Sequence, residues 1–173
     1  MKTLIAFASK SGTTRACAEA LARKIPEATL VDLTREKPNP SGYDQIIVGG
    51  NVRMGALSVD TRQYLDGAKP ALLAKRLGIF ICAGFDEKKD AIFENNVDPE
   101  LLRHAVRYDS FGGEIRLDRL HGFEKLITRM VMKPGKSDPA ELPRLFPERI
   151  EAFAQAFAPE ESGKGEEGQT CST

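Results

Sequence analysis

The sequence predicts an α/β three-layer sandwich built on a five-stranded parallel sheet of order 2-1-3-4-5. Three observations lead there. Short apolar runs alternate along the chain with segments of helical period. Each of these runs reads as apolar through its length rather than at every second residue, the pattern of a parallel sheet covered on both faces. The first run ends in Ser9-Lys10-Ser11-Gly12-Thr13-Thr14, a hydroxyl-rich turn into a helix. Right-handed crossovers leave few ways to connect such elements, and the order 2-1-3-4-5 puts a ligand at the carboxyl ends of strands 1 and 3.

The elements follow in chain order. Leu4 to Ala8 reads as the first strand. A helix starts at Thr13 or Thr14 with Cys17, Ala18, Leu21, Ala22 and Ile25 on one face, and Pro26 breaks it. Ala28 to Leu33 is the second strand, followed by a Pro/Asn/Gly-rich loop over 36–42. Gln45 to Gly49 is the third strand. Val59 to Ala68 is helical, with an interruption at Pro70. Leu77 to Ala83 is the fourth strand, and Asp86 to Phe93 opens another helix. Asp98-Pro99-Glu100-Leu101-Leu102 is a capped extra turn. Residues 105–115 contain the fifth strand, broken at Gly112-Gly113, and Ile150, Phe153, Ala154 and Phe157 mark a last helix.

The 173 residues, 41% of them hydrophobic, suffice for one domain with a sizeable core. That domain is expected over 1–158, with an acidic Glu/Gly/Ser-rich tail over 159–173 expected to be disordered. The formal net charge of +0 gives no case for a nucleic-acid partner. Without the tail the balance becomes 24 basic to 21 acidic residues, because Glu160, Glu161, Glu166, Glu167 and Lys164 leave with it. The first apolar run is too short for a signal peptide and no run is long enough to span a membrane. Cys17, Cys82 and Cys171 show neither metal-ligand nor disulfide spacing, so no metal site is expected. Cys17 and Cys82 sit in apolar segments and read as buried reduced thiols, consistent with a cytoplasmic location.

The turn after strand 1 has the makings of an anion site. A helix start offers unpaired N–H groups and a favourable dipole, the hydroxyls add donors, and Gly12 lets the backbone approach closely. The bland reading is a hydroxyl-capped helix. The turn lacks both G-x-G-x-x-G and G-x-x-x-x-G-K-[ST]. It resembles instead the flavodoxin phosphate loop [ST]-x-[ST]-G-x-[ST], matched by Ser9, Ser11, Gly12 and Thr14.

With strands 1, 3 and 4 adjacent, two further loops meet this turn. They are Gly50-Asn51-Val52-Arg53-Met54-Gly55 and Ala83-Gly84-Phe85-Asp86. Together the three suit a phosphate at one end and a planar heterocycle at the other, the shape of FMN. Arg53 either favours a reduced, anionic flavin or is a solvated sheet-edge arginine, and Met54 and Phe85 are either ring contacts or gap-fillers.

Residues 116–143 exceed an ordinary crossover loop and read as an insert before the last helix. Within it Phe123, Leu126, Ile127, Met130 and Val131 form an apolar helix face, surrounded by Arg116, Arg119, Lys125, Arg129, Lys133 and Lys136. Such a segment either packs over the sheet edge or meets an anionic membrane or acidic partner through 116–136.

With these residues in place the chain resembles the flavodoxin-fold, menaquinone-dependent protoporphyrinogen dehydrogenases (protoporphyrinogen oxidases) of bacterial haem biosynthesis. The likeness covers the opening Met1-Lys2-Thr3-Leu4-Ile5, the phosphate loop, Ile47-Val48-Gly49 with Val52-Arg53-Met54-Gly55, and the basic stretch over 125–133. That family has a tyrosine where Met54 stands, and aromatics where this chain has Leu117, Leu120 and His121. The resemblance implies an FMN-dependent oxidoreductase acting on a porphyrinogen-like substrate, with a quinone or another molecule as acceptor. A flavodoxin-type electron carrier serving redox partner proteins is the alternative. No side chain stands out as an obligatory acid or base. His121 is the best candidate for proton handling, against a plain surface-loop histidine, and His104 reads as structural.

Overall fold

In a computed structural model the chain is described over residues 1–84, 86–113 and 145–158. Phe85, the expected insert with His121, and the expected tail lie outside the described residues.

The strands are β1 (Thr3–Ala8), β2 (Ala28–Asp32), β3 (Gln45–Arg53), β4 (Ala56–Leu57), β5 (Arg76–Cys82) and β6 (Arg107–Ser110). The helices are α1 (Thr13–Ala22), α2 (Val59–Gly67), α3 (Lys69–Leu73), α4 (Lys89–Asn96), α5 (Pro99–His104) and α6 (Pro147–Gln155). Five strands pair in parallel in the order β2-β1-β3-β5-β6. This is the predicted 2-1-3-4-5 arrangement, with β5 and β6 as the fourth and fifth strands. The two-residue β4 adds an antiparallel hairpin on β3.

Alternation along the strands sorts the core into two layers. Leu4, Ala6, Ile46, Val48, Ile79 and Ile81 face α2 to α5, where Tyr64, Leu65, Leu72, Phe93 and Leu101 cover them. Ile5, Phe7, Ile47, Phe80 and Cys82 face α1 and α6, covered by Cys17, Ala18, Leu21, Ile150, Phe153 and Phe157. Phe80 stacks on Phe111 at 4.7 Å and meets Phe153 edge-on at 6.4 Å. Gly49 makes room for this cluster, since a Cβ there would stand 2.1 Å from Phe80 Cζ.

The interruption expected at Pro70 is present: α2 ends at Gly67 and α3 begins at Lys69, with Pro70 in its first turn where a missing N–H is harmless. The Asp98 carboxylate caps α5, accepting from Glu100 N at 2.8 Å. His104 Nε2 lies 2.8 Å from Lys75 O, which ties α5 to the start of β5. The cover on both faces fails at β2, where Thr29 and Leu30 are exposed, because this strand is the sheet's edge. The second loop also differs from expectation. β3 does not stop at Gly49 but runs on to Arg53, since Gly50 and Asn51 continue the ladder to β5 and β4 pairs with Val52 and Arg53.

Candidate cofactor site

Three segments converge at the carboxyl ends of β1, β3 and β5. The first is Ser9 to Thr14. Gly12 is the N-cap of α1, with φ 93°, a left-handed conformation that glycine adopts without strain. Its carbonyl accepts from Ala16 N at 3.0 Å, and its N–H donates to Ser9 Oγ at 3.1 Å. Gly12, the N-cap residue, has no side chain to cap α1, so the hydroxyl bonded at the helix start is that of Ser9, three residues earlier. The N–H groups of Thr13 and Thr14 have no acceptor within the helix. Thr14 is fully buried and Thr13 nearly so, yet among the described residues neither Oγ1 finds a hydrogen-bond partner. Thr14 Oγ1 is close enough to the Cys82 thiol to influence its ionisation without completing a hydrogen bond. A buried hydroxyl left without a partner costs about 1–3 kcal/mol. Two such groups beside open N–H donors at a helix start suit an anion, so the residues present fit a phosphate. Lys10 and Ser11 complete the turn, Lys10 exposed and Ser11 half-buried.

The second segment is the hairpin at the end of β3. Gly50, Asn51, Val52 and Arg53 lie in the strand, and the turn is Met54-Gly55 alone. Both turn residues have positive φ, 50° and 79°, the requirement of a two-residue type I′ turn. Met54 projects into solvent, 98% exposed. Gly50 meets a packing need, since a Cβ there would stand 2.6 Å from Leu57 and 2.7 Å from Thr61. Asn96, at the end of α4, clamps the hairpin: its Oδ1 accepts from Leu57 N at 2.9 Å and its Nδ2 donates to Gly55 O at 2.9 Å.

The third segment leaves β5 at Cys82. Ala83 is buried, Gly84 is half-buried, and Asp86 opens a 3-10 turn over Asp86–Lys88. Arg149 of α6 grips Asp86 with both ends of its guanidinium, at 2.6 and 2.8 Å. The same Nη1 donates to Ser110 O at 3.1 Å and lies 3.7 Å from Asp109, which also pairs with Lys89 at 3.3 Å. Burial pushes the Asp86 carboxyl up, but the hydrogen bonds and charge of Arg149 outweigh it and hold the group below its ordinary value. Gly113 comes up behind this loop, and a Cβ there would stand 2.9 Å from the carbonyl carbon of Ala83 and 2.9 Å from Gly84 N.

The structure therefore brings Ser9–Thr14, the β3 hairpin, Ala83–Gly84 and Asp86 to one end of the sheet. Sequence reasoning missed Asn96, Gly113 and Arg149, which hold the second and third segments. The Gly112-Gly113 pair was the available signal for one of them. Clefts of about 540 and 400 Å³ are lined by other residues, one by Lys2, Glu27 and Tyr43, the other by Phe7, Arg15, Asp32 and Arg35 beside the first turn of α1. Among the described residues no cluster of metal-ligating side chains occurs, and no helix is long and apolar enough to cross a membrane.

Comparison with known proteins gives concordant results. The flavodoxin-domain family model matches residues 4–141. Protoporphyrinogen IX dehydrogenase (quinone) of Escherichia coli strain K12 is 24% identical over 144 residues, covering 77% of this chain and 80% of that protein. A short-chain flavodoxin associated with a bacterial microcompartment superposes with a TM-score of 0.53 at 14% identity, over 91% of this chain and 97% of that one. Oxidised flavodoxin 1 from Bacillus cereus gives a TM-score of 0.49 at 17% identity, over the same shares of the two chains.

Proposed function

This chain belongs to the flavodoxin domain family, and from that premise we propose that it is an FMN-binding redox protein, an oxidoreductase of the protoporphyrinogen dehydrogenase kind. One observation carries the cofactor reading: the Thr13 and Thr14 hydroxyls, buried and without partners among the described residues, at the start of α1. They and the N–H groups of the first turn hold the terminal phosphate. The hairpin of Arg53, Met54 and Gly55 and the segment of Ala83, Gly84, Phe85 and Asp86 flank the ring. FMN bound there supplies the redox chemistry, taking electrons from a reduced substrate and yielding them to an acceptor. Arg53 places positive charge near the ring, favouring its reduced, anionic form.

The porphyrinogen substrate and quinone acceptor are supported by the 24% identical relative, whose name carries both. In this reading 116–143 supplies the substrate side. A flavodoxin-type electron carrier is the second reading. It is favoured by the open second segment, where Met54 stands almost wholly in solvent as a partner protein's contact would.

Purified protein titrated with FMN should turn yellow and bind it. Thr14→Val should weaken binding by about 1–3 kcal/mol, the range for hydrogen bonds to charged groups. Unchanged affinity in Thr14→Val and Ser11→Ala alike would place the phosphate elsewhere. Oxidation of a porphyrinogen with only FMN and a quinone present supports the enzyme. A strict need for a reductase partner supports the carrier.

A further inference from the structure

The cofactor reading makes no use of Cys17 and Cys82, yet both border its site. Cys17 follows Thr13 by about one turn of α1, and Cys82 is the last residue of β5, next to Ala83. They are 1% and 5% exposed, in the core layer under α1 and α6. Their sulfurs lie 3.7 Å apart, the Cys82 thiol donating to Cys17. Sixty-five positions separate them in sequence, so only the fold makes them neighbours. The hydrogen bond from Cys82 lowers the Cys17 pKa against the effect of burial. The same bond, with burial, pushes Cys82 well up, against a weaker pull from Thr14. Cys82 donates toward Cys17, so the geometry favours Cys17 as the attacking sulfur and Cys82 as the one that keeps its proton.

We infer that Cys17 and Cys82 form a reversible dithiol–disulfide pair whose oxidation state is coupled to anion binding at the Ser9–Thr14 loop. The oxidant is a hydroperoxide. The Cys17 thiolate attacks a peroxide oxygen, the O–O bond breaks, and with one proton taken up Cys17 becomes a sulfenic acid and one water leaves. The Cys82 sulfur then attacks Cys17 Sγ, its proton going to the departing hydroxide, which leaves as a second water. Two thiols and one hydrogen peroxide thus give one disulfide and two waters.

The coupling is geometric. Bonded sulfurs stand about 2.05 Å apart, so closure brings the two Sγ atoms together by more than about 1.5 Å, through rotation of both side chains and adjustment of the first turns of α1 against the end of β5. A close-packed interior transmits that shift rather than absorbing it. The displaced residues include the turn that sets the Thr13 and Thr14 hydroxyls. The dithiol form, which holds them as described above, is therefore the form that binds anions better. By linkage, a bound anion protects the thiols to the same degree.

This inference rests on the phosphate reading of the loop, and the test separates the two. The full chain carrying Cys171→Ser is treated with hydrogen peroxide, denatured in an alkylating reagent and mapped by peptide mass. FMN is titrated into the reduced and oxidised forms. The expected map shows a Cys17–Cys82 cross-link, removed by dithiothreitol. FMN should bind the oxidised form on the order of tenfold more weakly. Saturating FMN should then raise the dithiol potential by about 30 mV, the equivalent of tenfold. Cys17→Ala and Cys82→Ala should each make FMN affinity insensitive to peroxide. Two alkylated thiols after treatment, oxidation of one cysteine alone, or a cross-link without change in affinity would each overturn the inference. FMN that binds neither form overturns the cofactor reading instead. The peptide map, with inorganic phosphate as the anion, then decides the pair.

Discussion

The first and third segments of the site handle their buried polar groups in opposite ways. At the start of α1 the Thr13 and Thr14 hydroxyls are buried and left without partners among the described residues. At the end of β5 the Asp86 carboxylate is bound at both oxygens by Arg149, which also reaches Ser110 O. Groups already satisfied by the protein hold the scaffold in place. Groups left unsatisfied cost stability in the ligand-free protein and return it when an anion binds. The third segment is thus a built wall, and the first is the part that waits for its ligand.

Breaking the wall should have the largest effect. In Gly113→Ala the new Cβ meets backbone atoms of Ala83 and Gly84, which have no rotamer to give. A loss of about 3 kcal/mol on denaturant unfolding is expected, together with weaker FMN binding. Loss of stability with unaltered FMN affinity would show that the third segment does not touch the cofactor.

Next comes Arg149→Met, which keeps the aliphatic stem and leaves Asp86 half-buried and unpaired. A loss of about 2 kcal/mol is expected. Arg149→Met combined with Asp86→Asn should recover part of it, and strict additivity in that double-mutant cycle would deny the pair its role.

Thr14→Val should act with the opposite sign. It removes an orphan hydroxyl, so the ligand-free protein should gain up to about 1 kcal/mol while FMN affinity falls. A loss of stability without ligand would mean that the hydroxyl has a partner in solution, and the contrast between the two segments would vanish.

The smallest effect is the pH dependence at Asp86. Its carboxyl sits below the ordinary 3.8 in the folded protein, so on acidification the unfolded chain takes up the proton first. The stability it contributes is full above 3.8 and is lost as pH falls through the lower folded value. The gap in stability between the natural protein and Asp86→Asn should therefore narrow below about pH 4. A gap that stays constant into that range would show that Arg149 does not stabilise the charged form.

What could be read before folding was local. Unbroken apolar runs such as Leu4 to Ala8 and Leu77 to Cys82 declare buried strands, because the middle strands of a parallel sheet covered on both faces bury nearly every side chain. The turn Ser9-Lys10-Ser11-Gly12-Thr13-Thr14 declares itself because its glycine and hydroxyls act within six consecutive residues. The rest depended on residues far apart in the chain. Nothing near Gly50 says that its side chain is absent to admit Leu57 and Thr61, or that β3 runs past it to Arg53. Asp86 and Arg149 are 63 positions apart, and no periodicity links an aspartate after one strand to an arginine in the last helix. The approach of Cys17 to Cys82 belongs to the same class. Hydrophobic period and turn chemistry act over one or two turns of chain, so they specify elements and their order. Which polar group meets which is decided only when the sheet closes and α1 and α6 settle on the same face.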